Sequence, residues 1–199
     1  MPPPIAFRNI MTSHTSLRRN AIIVAGFCAL VALTASNARA QGSASGPVPP
    51  LSPVELKMRA YVRAHLDEQQ ALLQKAVDIK SATLDLKGVR DVGTLFARQF
   101  ASIGMDTTWV SLPDSVGRAG HLYAEHRGNK GKRILLIGHL DTVLEGDDLR
   151  FARLDTLAAG SGSSDMKGGD VVILYALKAL ESVGALDNTQ IIVALTGDE

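Results

Sequence analysis

Cysteine is almost missing from this chain: the single one, Cys28, lies near the start, and residues 41–199 have none. That stretch can form no disulfide and offers no thiolate, so any metal it binds must rest on His, Asp and Glu. Acidic residues are missing from the first 54 positions, and residues 1–40 carry four arginines. Removing those 40 residues takes the formal charge from +1 to −3, which argues against a nucleic-acid partner. A long apolar run is lacking too. The run at 21–35 falls short of the roughly 20 residues that a membrane-spanning helix needs. No internal repeat is visible.

What is present at the front reads as an export leader. Arg18 and Arg19 precede the apolar run, and Ala38-Arg39-Ala40 follows it in the small-x-small pattern of a secretory cleavage site. Residues 1–40 are therefore expected to be a signal peptide cut after Ala40, giving a periplasmic or secreted product with no stable membrane anchor. Asn20 and Ala21 after the arginine pair make a poor twin-arginine signal. Phe27 is bulky for the position before a lipid-bearing Cys28. Residues 41–52 are Gly/Ser/Pro-rich and read as a flexible linker, which leaves 53–199 for one domain.

From Pro53 the pattern turns helical, with Leu56, Tyr61, Leu66, Leu72, Leu73 and Val77 forming an apolar stripe. His65 reads as a solvated residue within that helix. A second amphipathic helix is predicted over 89–103, with Gly104 as its C-cap. Strand signals follow at 107–112 and 122–125. Gly128-Asn-Lys-Gly131 then supplies turn residues before the apolar run 134–137, which predicts an antiparallel hairpin and a buried second strand. His121 and His126 read as rim residues. A glycine/serine loop at 160–169 opens into an apolar helix over 170–183, and 190–196 is a β-branched strand. This alternation of strands and helices implies an α/β sandwich with polar residues collected at strand ends.

Three polar clusters stand at such ends: His139 with Asp141, Asp165, and Asp198 with Glu199. His139 and Asp141, two apart in extended chain, share a face. One histidine with several carboxylates and no cysteine suits a hydrolytic zinc or cobalt site. Asp165, ahead of a helix, would stay ionised and could bridge two metals. The loop at 160–168 is no phosphate cradle, because the glycine expected before Lys167 is missing and Asp165 would repel phosphate.

Gly138-His-Leu-Asp-Thr-Val143, Gly160-Ser-Gly-Ser-Ser-Asp-Met-Lys-Gly-Gly169 and Leu195-Thr-Gly-Asp-Glu199, in that order, resemble the co-catalytic zinc peptidases and amidohydrolases. That family includes glutamate carboxypeptidase, acetylornithine deacetylase and succinyl-diaminopimelate desuccinylase. The second motif and its helix look most like the glutamate carboxypeptidase branch. The resemblance implies a phosphorylase/hydrolase-like α/β sandwich with a mixed central sheet, of which this chain is the N-terminal part, and a cis peptide bond after Asp165.

It further implies that His139 and Asp165 are metal ligands, that Asp141 orients the imidazole, and that Glu199 is the general base. The expected cofactors are two divalent ions, zinc by preference, with cobalt or manganese suiting the same ligands. The implied activity is metal-dependent hydrolysis of peptide or amide bonds, by an exported carboxypeptidase or by an N-acyl amino acid deacylase. A non-catalytic exported binding module is the reading from another class. Later ligands of the family and its dimerising lid domain lie beyond residue 199, so the chain by itself is expected neither to hold two metals tightly nor to turn over substrate, and a homodimer is expected only of a full-length protein. The reading also requires the His139 ring and the Asp165 carboxyl to lie within about ten ångströms of each other.

Overall fold

The computed structural model describes residues 49–143 and 150–199. The expected signal peptide and residues 41–48 of the expected linker lie outside the described residues. Helix α1 (Pro53–Ala64) starts at the predicted proline. Ser52 caps it through a reciprocal pair, its Oγ accepting from the Glu55 N–H and its own N–H donating to Glu55 Oε2.

The predicted first helix is two helices. The chain breaks at His65 (φ −110°, ψ 22°), and α2 (Leu66–Asp78) follows. His65 bonds through Nδ1 to the Tyr61 carbonyl oxygen and stacks on the Tyr61 ring, and Gln69 Nε2 donates to the Val62 carbonyl. His65 is thus the joint between two helices, a position that periodicity alone does not reveal. Of the predicted stripe, Leu72 and Val77 reach the core, whereas Leu56 and Leu66 stay exposed.

Helix α3 (Leu86–Ala101) begins three residues earlier than predicted, because Asp85 accepts from the Gly88 N–H and caps it. Its stripe of Val89, Val92, Phe96 and Phe100 is fully buried. Gly104 (φ 77°) ends it in the left-handed conformation, with the Met105 N–H returning to the Phe100 carbonyl. Then come β1 (Asp106–Val110), β2 (His121–His126), β3 (Lys130–His139), a small hairpin of β4 (Ala152–Leu154) and β5 (Leu157–Ala159), helix α4 (Lys167–Glu181) and β6 (Thr189–Thr196).

The main sheet is mixed, as expected, with order β1-β2-β6-β3. The expected hairpin between β2 and β3 does not form. β6 lies between them, antiparallel to β2 and parallel to β3. The turn residues serve another purpose: the Asn129 N–H donates to Asn188 Oδ1, Asn188 Nδ2 donates to Asn129 Oδ1, and the Lys130 N–H donates to the Asn188 carbonyl. A Cβ at Gly128 would fall 2.0 Å from the Asn188 carbonyl oxygen, so glycine lets the two turns meet.

The helices pack on one face of the sheet. Leu122 and Ala124 of β2 and Ile191, Val193 and Leu195 of β6 share that face by register, and they join the α3 and α4 side chains in one core. The opposite face has no such cover among the described residues. The run 134–137, expected to be buried, is therefore largely open: Leu135 and Ile137, on that second face of an edge strand, are 56% and 63% exposed. Replacing both by lysine should leave the melting temperature within a few degrees, since surface changes cost about 0.5 kcal/mol or less. The same change should reduce self-association and dye binding measured by light scattering and ANS fluorescence, as expected when an apolar edge is charged; unchanged scattering would mean that this face is not the sticky one.

Candidate metal centre

Parallel pairing sets Gly138 beside Leu195 and His139 beside Thr196, and the Leu140 N–H donates to the Thr196 carbonyl. Both strands therefore discharge their following residues at the same sheet end, where open α/β sheets hold their ligands. The loop before α4 arrives at that end too. His139, Asp165 and Glu199 each bring one ligand atom into a group lying within 4.8 Å. His139 Nε2 is 3.1 Å from Asp165 Oδ1 and 2.8 Å from Glu199 Oε2, well inside the ten-ångström condition. The cleft they line, together with Thr142, Gly162 and Ser163, has a volume of about 270 Å³. The peptide bond between Asp165 and Met166 is cis, as the resemblance implies.

The protonation of the ring follows from its neighbours. Nδ1 lies 2.9 Å from the Asp141 main-chain oxygen, which can only accept, so Nδ1 carries a hydrogen. A neutral ring then turns a lone pair at Nε2 toward two carboxylate oxygens. Three electron-rich atoms facing one another need a cation between them, either a proton or a metal ion. The donor set is one imidazole nitrogen with carboxylate oxygens and no sulfur, which fits zinc, cobalt or manganese.

Asp141 is fully buried, and its carboxylate sits 3.7 Å from His139 Nδ1, farther than its own carbonyl. The main chain at 141 takes the ring hydrogen, while the carboxylate adds negative charge behind the ring. Asp198, grouped with Glu199 in the sequence, does not join the cluster: it lies 3.8 Å from His121 Nδ1, which also accepts the Gly197 N–H at 3.4 Å. His126 bonds to the Thr189 carbonyl at the other end of the sheet.

Asp170, expected as the first residue of the helix over 170–183 and given no part in the site, lies inside a helix that starts at Lys167. Asp170 is fully buried, and its carboxylate packs where a Cβ of Gly138 would lie, 2.1 Å from Oδ1. An acid amid the apolar letters of that helix was the only signal available. Burial pushes its carboxyl up to about 8, opposed by the Lys167 charge.

With this geometry in place, comparison with known proteins is informative. Residues 135–199 match the model of Peptidase family M20/M25/M40. The resemblance to M20 peptidases also extends upstream. Over 143 residues the chain is 33% identical to Carboxypeptidase G2 of Pseudomonas sp. (strain RS-16), covering 69% of this chain and 34% of that protein. Over 47 residues it is 45% identical to a putative succinyl-diaminopimelate desuccinylase DapE of Mycobacterium tuberculosis (strain CDC 1551 / Oshkosh), covering 24% of this chain and 13% of that protein.

Among solved structures, human carnosine dipeptidase 1 superposes with a TM-score of 0.60 at 20% identity, over 72% of this chain and 34% of the dipeptidase. The dipeptidase Dug1p of Saccharomyces cerevisiae gives 0.61 at 15%, over 71% and 34%. These likenesses establish the fold. The chain spans about a third of the length of the carboxypeptidase and of either dipeptidase.

The Asp170 carboxyl yields a pH test. The folded chain holds a proton there that the unfolded chain releases near pH 4, so the group's contribution to stability is complete below about pH 4 and is lost as pH rises through about 8. Asp170→Asn should match the parent at pH 4 in urea unfolding and gain on it up to pH 8, by on the order of a few kcal/mol. A difference that does not vary with pH would show that this carboxyl is ionised throughout.

Proposed function

We propose that this chain is the N-terminal part of a metal-dependent hydrolase of peptide or amide bonds, acting as an exported carboxypeptidase in its full-length form. The observation that carries the reading is the convergence of His139, Asp165 and Glu199, from three separate stretches of chain, within 4.8 Å at one sheet end. The M20 match over 135–199 and the 143-residue similarity to Carboxypeptidase G2 support it. The leader-like residues 1–40 support export.

His139 and Asp165 would hold the metal. When bound there, a divalent ion would supply Lewis acidity, lowering the pKa of water to about 7 and polarising a carbonyl. Glu199 faces the same space. It takes the proton of the attacking water and passes it to the leaving amine, a task that contributes roughly 10²–10⁴-fold. Asp141 and its carbonyl fix the imidazole and keep Nε2 directed at the cation.

In the full-length protein, Glu199→Gln should abolish turnover of peptides with a C-terminal glutamate while metal content by elemental analysis stays at the parent value. Loss of metal instead would assign Glu199 as a ligand. Asp141→Ala should weaken zinc binding by roughly 10–100-fold, read by competition with a chromophoric chelator. The 47-residue similarity to the desuccinylase favours a second reading, deacylation of N-acyl amino acids. Activity on N-succinyl or N-acetyl amino acids without activity on peptides would select it.

A further inference from the structure

His139 ends β3 and Asp165 lies in the loop before α4, and a third segment lies between them. Ile79 to Thr83, which the sequence reading left without a role, joins α2 to α3. Its Ala82 forms a parallel bridge to Thr142. The Thr142 N–H donates to the Ser81 carbonyl, and the Thr83 N–H donates to the Thr142 carbonyl. Buried Ser81 donates its hydroxyl hydrogen to the Leu140 carbonyl at 2.9 Å, between His139 and Asp141.

On the other side, Lys167 is fully buried two residues after Asp165, and its Nζ donates to the Ile79 carbonyl at 3.0 Å. Its stem lies against Gly162 in the same loop, where a Cβ would come 3.1 Å from Cδ. The Asp165 side chain is itself 80% exposed, so packing does not hold it and its place is set by the main chain around it.

A lysine taken wholly out of water is costly unless its bonds repay the loss. An apolar side chain would fill this volume at less cost, so the amine has a task that a hydrocarbon cannot do. We infer that Lys167 and Ser81, linked through the main chain of 79–81, are positioning residues that set the spacing between His139 and Asp165 and thereby the fit of the site to its metal. The inference rests on the metal-site reading above.

The test uses zinc, cobalt and the full-length protein. Lys167→Met keeps the length of the stem and removes the donor; Ser81→Ala removes one buried hydroxyl. Zinc affinity is measured by chelator competition, the geometry of the bound ion by the visible spectrum of the cobalt form, and the scaffold by thermal melting in EDTA. The expected result is a zinc Kd raised at least tenfold and an altered cobalt spectrum in both variants, while the metal-free melting temperature moves by only a few degrees. Parent-like affinity, within twofold, with an unchanged spectrum would overturn the inference. So would a loss of the metal-free fold in both variants, which would make the two residues purely structural; if Lys167→Met alone unfolds, Ser81→Ala decides. A full-length parent that takes up no zinc would instead sink the metal-site reading on which the inference stands.

Discussion

The structure depends on the parallel pairing of β3 with β6. Through that ladder Gly138 lies beside Leu195 and His139 beside Thr196, so two chain segments more than fifty residues apart end at the same level. Parallel neighbours need a crossover, and α4 supplies it while its apolar face fills the space over the sheet. The loop leading into that helix carries Asp165. One topological choice thus delivers an imidazole and two carboxyl groups to one rim.

Electrostatics at that rim is arranged around a positive charge. Asp165 and Glu199 meet at one ring nitrogen, and Asp141 stands behind the other with no exposure to water. Among the described residues Asp141 finds no hydrogen bond for either carboxylate oxygen, which is a cost of its burial. Asp170, on the far side of Gly138, avoids the same cost by another route: burial holds its proton on, and Lys167 lies near it.

Much of this was legible in the residues. Periodicity located α3 and α4 to within a few residues, and Pro53 and Gly104 marked real helix ends. The three motifs named the groups that converge. What could not be read was set by partners distant in sequence. Gly128 and Asn129 look like a hairpin turn, yet they pack on the Asn188 turn because β6 claims the place beside β2. The apolar letters of 134–137 say that the strand is hydrophobic, but not how many of its faces are covered. His65 breaks a helix through bonds to Tyr61 that leave the apolar stripe unbroken on paper. Segment 79–83 has neither period nor motif, and its part in holding the Leu140 main chain shows only once Ser81 and Thr142 are seen together.

The strand order has a consequence for how the chain acquires its shape. β6 follows β1 to β5 in the chain and yet is an inner strand, with β2 on one flank and β3 on the other. A nascent chain ending before residue 189 can form the β1-β2 hairpin and its helices, but β3 then has no strand to lie against, and His139 has no Thr196 beside it. The hydrophobic edge of β3 waits unpaired for that interval, the condition in which chains meet one another instead of themselves. Pairing of β3 with β6 and assembly of the polar rim are therefore one event, triggered by the arrival of β6.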